Sequence, residues 1–468
     1  MVGEWDDDSL EQQGDESIYF EWDEADQDNE SGLEIARNEQ EVIRLPSGSE
    51  FLILSGEGAG SIVPTAPPGA RENAKRAASG LRTRDNALSG NVPIYLIQRG
   101  ASYYKELPSV LARLHATHGE NLALGLIVRI PQATARSNTA LFDRASAAAI
   151  RIADPCTYLL DTDILRLSDN PIGIRARRYA PYLLDGGSAG WIESIVDAQR
   201  AAGANLILSP GSAINPDRPQ QTLDEACTQA DEVASLLRPG ERMALNLTLS
   251  SRWLSSDSLR THLLNQLIDQ DQFGIIYLRV QWAPTASFAQ MTDLPLVDGI
   301  KRLANLCLDE GRQLILPQSG LSGWFALAFG STGFGAGTAG ADHAFTEFAI
   351  RRRAPGSQRV ARYYETQLLH TVERAAHDQL AALSDYQACD CLYCNYQQSR
   401  MIWSHEAASL HHLIALGELA AKVQSDSERG GRHGAVRRAV RAAVRYSRGK
   451  PLVDANVPRH LQVWDQAL

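Results

Sequence analysis

The feature that most constrains this chain is an alternation. From Pro93 onward, short β-rich runs take turns with helix-sized segments, and the pair repeats eight times. The runs are PIYLIQ (93–98), ALGLIVRI (123–130), TYLLD (157–161) and NLILSP (205–210). MALNLTL (243–249), GIIYLRVQW (274–282), QLILP (313–317) and TGFGAG (332–337) complete the set. Between them lie helical patterns such as Trp191–Ala202, Leu223–Leu237, Leu259–Ile268 and Val297–Asp309. The runs are apolar at consecutive positions, which suits strands covered on both faces. Crossover helices between parallel strands provide that cover. Gly203, Gly311 and Gly330 stand where helices must turn back into strands, a position that favours glycine. Eight such units predict an α/β fold, a (β/α)8 TIM barrel of roughly 250 residues. A doubly wound open sheet is the rival.

The alternation divides the chain into five parts: an acidic arm (1–45), a short strand and linker (46–92), the barrel (93–350), a helical segment (351–428) and a basic tail (429–468). The formal charge of −11 hides this division. Residues 1–40 hold fifteen Asp and Glu against one Arg, or −14, so everything after Gln40 sums to +3. So many charges with so few aliphatic residues predict a disordered arm. At the other end, the stretch from Arg429 to Lys450 carries eight Arg or Lys and no acid, with its arginines at helical spacing. Such a helix neutralises phosphates, so nucleic acid is the expected partner, with the protein's own acidic arm as the competing one. No run approaches the ~20 apolar residues of a membrane span, and the N-terminus lacks a basic and apolar leader. A cytoplasmic location without a membrane partner is the expectation.

Of the six cysteines, Cys156, Cys227 and Cys307 stand singly in apolar surroundings, as reduced core thiols do. The other three crowd together as Cys389-Asp-Cys391-Leu-Tyr-Cys394. Three thiolates this close point into one volume, and a divalent ion that tolerates soft ligands satisfies them best. Zinc is the default, in a structural role, and a histidine is needed as the fourth ligand. His405, His411 and His412 are nearby, the last two on a helical run reading AASLHHLIALGELAAKV.

C-x-C-x2-C followed by an LHHL helix resembles the zinc site of the tRNA-guanine transglycosylases, a family with archaeal and DNA-acting relatives. The resemblance implies Cys389, Cys391, Cys394 and His411 as ligands of a structural Zn2+, with His412 the runner-up. It also implies a pentosyltransferase that exchanges guanine or a 7-deazaguanine in tRNA or DNA, as in queuosine formation, and a homo- or heterodimer. LILPQSGLSGWFALAFGSTGFGAG looks like the last βα unit of that family, with Gly330 and Phe334 matching. Gly335 stands where the family keeps its aspartate nucleophile. TYLLDTDILRLS resembles the strand that bears the family's other aspartate, with Asp161 in its place and the following S-G-G-F-Q absent.

Asp161 and Asp163 are therefore the expected catalytic carboxylates, at the end of the third strand, with Asp342 behind them. Gln281, Trp282 and Gln318 end strands six and seven and are expected to face the same mouth, where a base would stack on Trp282. Gly333, Gly335 and Gly337 open a GxGxxG run before a helix over 342–350, a phosphate cradle or a close-packed backbone. Two other readings stay open. A catalytically silent nucleic-acid-binding partner subunit would explain Gly335. An unrelated barrel enzyme would hold a phosphate-bearing cofactor at the Gly-rich loop.

Overall fold

The computed structural model describes residues 80–100, 102–165, 174–283, 290–338, 343–345, 361–400, 403–427 and 430–468, with three strands before them. Those strands, β1 (Glu41–Arg44), β2 (Glu50–Ile53) and β3 (Ile62–Pro64), form an antiparallel sheet. Of the arm expected to be disordered (1–45), Glu41–Arg44 form β1, where the β-branched Val42 and Ile43 favour a strand, and the rest lies outside the described residues, as do Asp342 and Arg429.

The centre of the molecule is a parallel, nearly closed eight-stranded barrel. Its strands are β4 (Ile94–Gln98), β5 (Ala123–Arg129), β6 (Ile150–Asp154), β7 (Leu206–Leu208), β9 (Arg242–Ser250), β10 (Ile275–Gln281), β11 (Gln313–Leu316) and β12 (Gly333–Gly337). They follow one another around the ring, and β12 pairs with β4. A two-residue strand, β8 (Ala213–Ile214), adds to β9. The seam between β6 and β7 has no ladder, and one residue bridges it. Asn205 donates its backbone N–H to Arg151 O, its side-chain amide donates to Ala149 O, and its Oδ1 accepts from the Arg151 N–H.

Why the strands read as continuous apolar runs is visible in how their residues sort. Ile94, Leu96, Ala123, Ile127, Ile150, Ile152, Leu206, Leu208, Ala244, Tyr277 and Ile315 converge in one interior cluster. The alternate residues, such as Tyr95, Ile97, Leu124, Leu126, Leu245 and Leu278, join the layer under the helices. Ala87, Leu88 and Val92 belong to the interior cluster, so the end of the expected linker is a plug at the N-terminal end of the barrel. Arg84 ties that plug down by donating to Asn205 O and Gly240 O. Gly203, Gly311 and Gly330 all take positive φ, as helix-to-strand turns require.

Seven of the eight strands lie where the alternation places them. The third does not. TYLLD (157–161) is a 3-10 turn over Thr157–Leu160, and the strand is Ile150–Asp154. Pro155 ends it, because a proline has no N–H to give a ladder, and Cys156 then turns at φ 56°. The Gly-rich run begins as the expected eighth strand: Gly333–Gly337 is β12, paired with β11 and β4, and the rest of the GxGxxG run, to Gly340, lies largely outside the described residues.

Past the barrel, the described part of the segment expected to be helical (351–428) opens with an antiparallel hairpin, β13 (Arg362–Glu365) and β14 (His370–Glu373). Aromatic and β-branched residues (Tyr363, Tyr364, Thr371, Val372) favour strands there. Helices follow at Arg374–Ala381, Leu392–Arg400 and His405–Ser425. The last packs against the Leu107–His118 helix so closely that a Cβ on Gly417 would meet Leu114 at 2.6 Å. The expected basic tail is two further packed helices, Gly431–Ser447 and His460–Ala467. Trp464 is fully buried, stacks on Phe325 at 4.4 Å and donates to Met291 O.

Candidate metal centre and barrel mouth

The three clustered cysteines and one histidine come together. One ligand atom from each of Cys389, Cys391, Cys394 and His411 lies within 4.8 Å of the others, and all but Cys389 are buried. His411 Nδ1 stands 3.6, 3.4 and 3.2 Å from the sulfurs of Cys389, Cys391 and Cys394. Bond lengths of ~2.3 Å to sulfur and ~2.0–2.1 Å to nitrogen at a tetrahedral angle put sulfur about 3.6 Å from nitrogen. The group therefore fits a tetrahedral metal.

The local fold explains the fit. Ser404 caps the His405–Ser425 helix by accepting from the Ala407 N–H, and its first turns carry His411 inward. His411 donates its Nε2–H to Tyr364 O on β13 at 2.9 Å. That bond fixes the tautomer and turns Nδ1 toward the sulfurs, as outer partners of metal-binding histidines do. His412 points elsewhere: its ring packs on His343 at 4.0 Å and on Tyr364 at 4.7 Å, and it belongs to no group of metal-ligating side chains among the described residues. The sulfurs also divide their protons unevenly. Hydrogen bonds from Cys391 and Cys394 hold the Cys389 thiol far below its ordinary range. Burial works to lower His411, yet the hydrogen bonds to Cys389 and Cys391 prevail and raise it to about 10. A ligand set already inclined to shed a thiol proton suits a cation.

A second constellation sits at the C-terminal end of the barrel strands, where catalytic groups of this fold gather. Moving up β4, β5, β6, β9 and β10 from the apolar interior, the buried inward residues become polar: Gln98, Arg129, Asp154, Thr248, Arg279 and Gln281. Arg279 is completely buried and organises the layer. Its Nε donates to Gln318 Oε1 at 2.7 Å and its Nη1 to Thr248 Oγ1 at 3.1 Å, while Nη2 is paired with Asp154 Oδ2. Its guanidinium also lies 4.3 Å from the Tyr158 ring centre. Asp154 uses its other oxygen to accept the Cys156 N–H. Cys156 and Gln318, both beside Arg279, hold positive φ of 56° and 47°. Non-glycine residues keep that strain where surrounding structure over-determines them, and functional sites concentrate it. Beneath this layer, Tyr277 and Asn246 are neighbours in register, and the Tyr277 hydroxyl and Asn246 Oδ1 are buried without a protein partner.

The other sequence-predicted residues divide around this mouth. Gln318 is in it, bound to Arg279. Gln281 donates to Leu165 O at 2.6 Å and so anchors the loop after β6. Trp282 is 5% exposed at the end of β10, with its backbone N–H on Phe345 O. Its ring is packed rather than open for stacking. Gly335 lies on the middle of β12 opposite Leu96, and a Cβ there would meet Pro317 Cα at 3.3 Å. Asp161 and Asp163 do not end a strand; they follow the 3-10 turn. Asp163 is exposed. Asp161 is half-buried, accepts the Ala213 N–H at 2.6 Å, and is pushed up to about 6 by burial against that hydrogen bond. Sequence reasoning missed Asp154, Arg279 and Arg129. The signal was present: Arg279 interrupts the apolar run of β10, and Asp154 precedes a proline.

No protein-family model matches the chain, and no curated protein matches it. Among solved structures, a glycerol-bound fructuronate-tagaturonate epimerase from Cohnella laeviribosi aligns with 91% of this chain and 95% of its own. Identity is 12% and the TM-score 0.30, a superposition too loose to carry any argument.

Proposed function

We propose that this chain is a guanine-transglycosylase-like protein that takes a guanine-type base of tRNA or DNA into the barrel mouth, with a structural zinc held by Cys389, Cys391, Cys394 and His411. The observation that carries the reading is the Cys3His group that follows the eight-stranded barrel in the chain, with His411 on a helix packed back against the barrel's first long helix. Zinc bound there would cross-link the cysteine segment and that helix, and would supply folding energy rather than chemistry.

Base exchange needs a carboxylate that attacks and a group that carries a proton. Asp154 takes the strand-end place that the sequence assigned to Asp161, and Arg279 holds it facing the mouth. Asp161, at about 6, can hold or release a proton near neutral pH. In this scheme an Asp154 oxygen bonds to the ribose C1′ as the C1′–N9 bond breaks, and the leaving base takes a proton at N9 from Asp161. The incoming base returns that proton to Asp161 as its own N9 displaces the Asp154 ester oxygen. The basic helix over Gly431–Ser447 is the proposed contact to nucleic-acid phosphates.

One observation favours the silent-subunit reading instead: both Asp154 oxygens are already engaged, by Arg279 and by the Cys156 N–H. Incubation with labelled guanine and either tRNA or duplex DNA separates the two. Exchange, and a nucleoside adduct mapped by mass spectrometry to the peptide bearing Asp154, supports the enzyme. Nucleic-acid binding with neither exchange nor adduct supports the silent partner.

A further inference from the structure

The residues that surround the Cys3His group make one assignment that its four ligands do not. β13 runs past the centre with Tyr363 and Tyr364 both buried. Tyr364 contributes its backbone carbonyl to His411, as described. Tyr363 contributes its side chain twice. Its ring lies parallel to the His411 ring, with centroids 4.5 Å apart and planes 6° from each other. Its hydroxyl lies 2.9 Å from Cys394 Sγ. The other face of Tyr363 is covered by His377, ring to ring at 4.1 Å, and His377 is itself held by Glu365. The tyrosine is clamped between two imidazoles with its O–H aimed at one sulfur.

We propose that Tyr363 is a positioning residue of the metal centre, whose hydroxyl donates to the Cys394 thiolate and whose ring sets the plane of His411. A thiolate that accepts a hydrogen bond gives less charge to its metal, so Tyr363 sets how much charge Cys394 donates. Cys389 is partly exposed and accepts the Cys391 backbone N–H, which makes it the sulfur that a chelator reaches first. The inference rests on reading the group as a metal centre, and the experiment separates the two.

The test uses the full chain loaded with cobalt(II), whose sulfur-to-metal charge-transfer bands report the charge on each thiolate. Tyr363→Phe keeps the ring and removes the donor. The bands move to longer wavelength, and the zinc-loaded variant passes its metal to a chromophoric chelator roughly tenfold faster, the scale on which outer partners act. Tyr364→Phe, which leaves the carbonyl in place, changes neither. Should Tyr363→Phe not fold, 3-fluorotyrosine at the same position is a stronger donor of the same shape and moves the bands the opposite way. Bands and release rates equal to wild type overturn the assignment, as does an equal shift in Tyr364→Phe. A wild-type chain that takes up no cobalt overturns the metal reading itself, and this inference with it.

Discussion

The metal group and the barrel mouth are both buried polar clusters, yet they are assembled in opposite ways. The farthest hydrogen-bonded pair within the metal group is Cys389 with His411, 22 residues apart, and every loop it closes is short. The mouth pairs Arg279 with Asp154 across 125 residues, with Thr248 on β9 and with Gln318 in the turn after β11. One cluster is gathered by local chain; the other exists only once the barrel has closed. The first therefore leaves a spacing in the sequence, and the second leaves isolated polar residues in apolar runs. They differ in dependence too. The sulfurs could take a cation only from outside, whereas Asp154 supplies Arg279 with a counter-charge from within.

That comparison breaks most visibly at the metal. Cys391→Ala removes a buried ligand, and metal content falls from one per chain toward zero. Stability of the 361–425 region drops by several kcal/mol, since metal binding at such a site is folding energy. Elemental analysis and limited proteolysis read the two effects. Full metal content in the variant would mean that the group is not the binding site.

At the mouth the expected loss is smaller and follows from charge. Arg279→Met strands Asp154 inside the barrel, and removing one partner of a buried pair costs about 3–5 kcal/mol. Adding Asp154→Leu should recover most of that, because the uncompensated charge goes with it. Denaturant unfolding of the three variants gives the cycle. Strict additivity would show that the two side chains do not act as a unit.

What the sequence made legible follows the same division. Seven strands and the four-residue metal group were readable, since strand runs and a cysteine cluster are local signals. The third strand was misplaced because TYLLD is as apolar as IRIAD, and only the Pro155 stop and the turn at Cys156 decide between them. That single shift carried the carboxylate assignment to Asp161 and hid Asp154. The β13–β14 hairpin was hidden because its two short strands lie between helical patterns. The burial of the C-terminal helices was not legible either, as the Arg-rich surface outweighs Val436, Val440 and Trp464 in any composition.

Buried histidines add a pH dependence that neither cluster supplies. Burial lowers His343 to about 3 and His370 to about 4, and lowers His460, which packs on His370 at 5.4 Å. With unfolded values near 6.5, the unfolded chain binds more protons between about 6.5 and 4. Stability is therefore whole above pH 6.5 and lost as pH falls. Asp161, raised to about 6, acts in the opposite sense: its contribution is present at low pH and lost as pH rises through 6. With a metal bound His411 does not titrate. The lowered imidazoles, His412 among them, act against Asp161 and the raised Glu106, Glu406 and Glu418, so thermal stability of the metal-loaded chain at pH 5 should lie below that at pH 7.5. His370→Gln with His460→Gln should flatten the slope with metal content unchanged. An unchanged slope would place the acid sensitivity elsewhere.

The smallest effect concerns the basic helix. Eight cations between Arg429 and Lys450 would release many counterions if all met phosphate, but the fold has already committed several. Arg441 pairs with Asp465, Lys450 with Asp385, and Arg432 reaches Gly90 O and Gln424. Arg438, Arg445 and Arg448 are exposed, and Arg438 also donates to Asp426 O. Removing the segment outright would take Trp464 and Val440 from the core, so weakened binding by a truncation would say nothing about charge. Arg445→Gln with Arg448→Gln keeps the helix and the core. If these two arginines meet duplex phosphates, the slope of log affinity against log salt becomes shallower by roughly 1.8, about 0.9 per contact. The loss should be the same for every duplex sequence tested, because phosphates carry no sequence. A slope that does not change removes this face as the nucleic-acid contact and leaves the chain's own acid-rich N-terminus as the remaining partner for it.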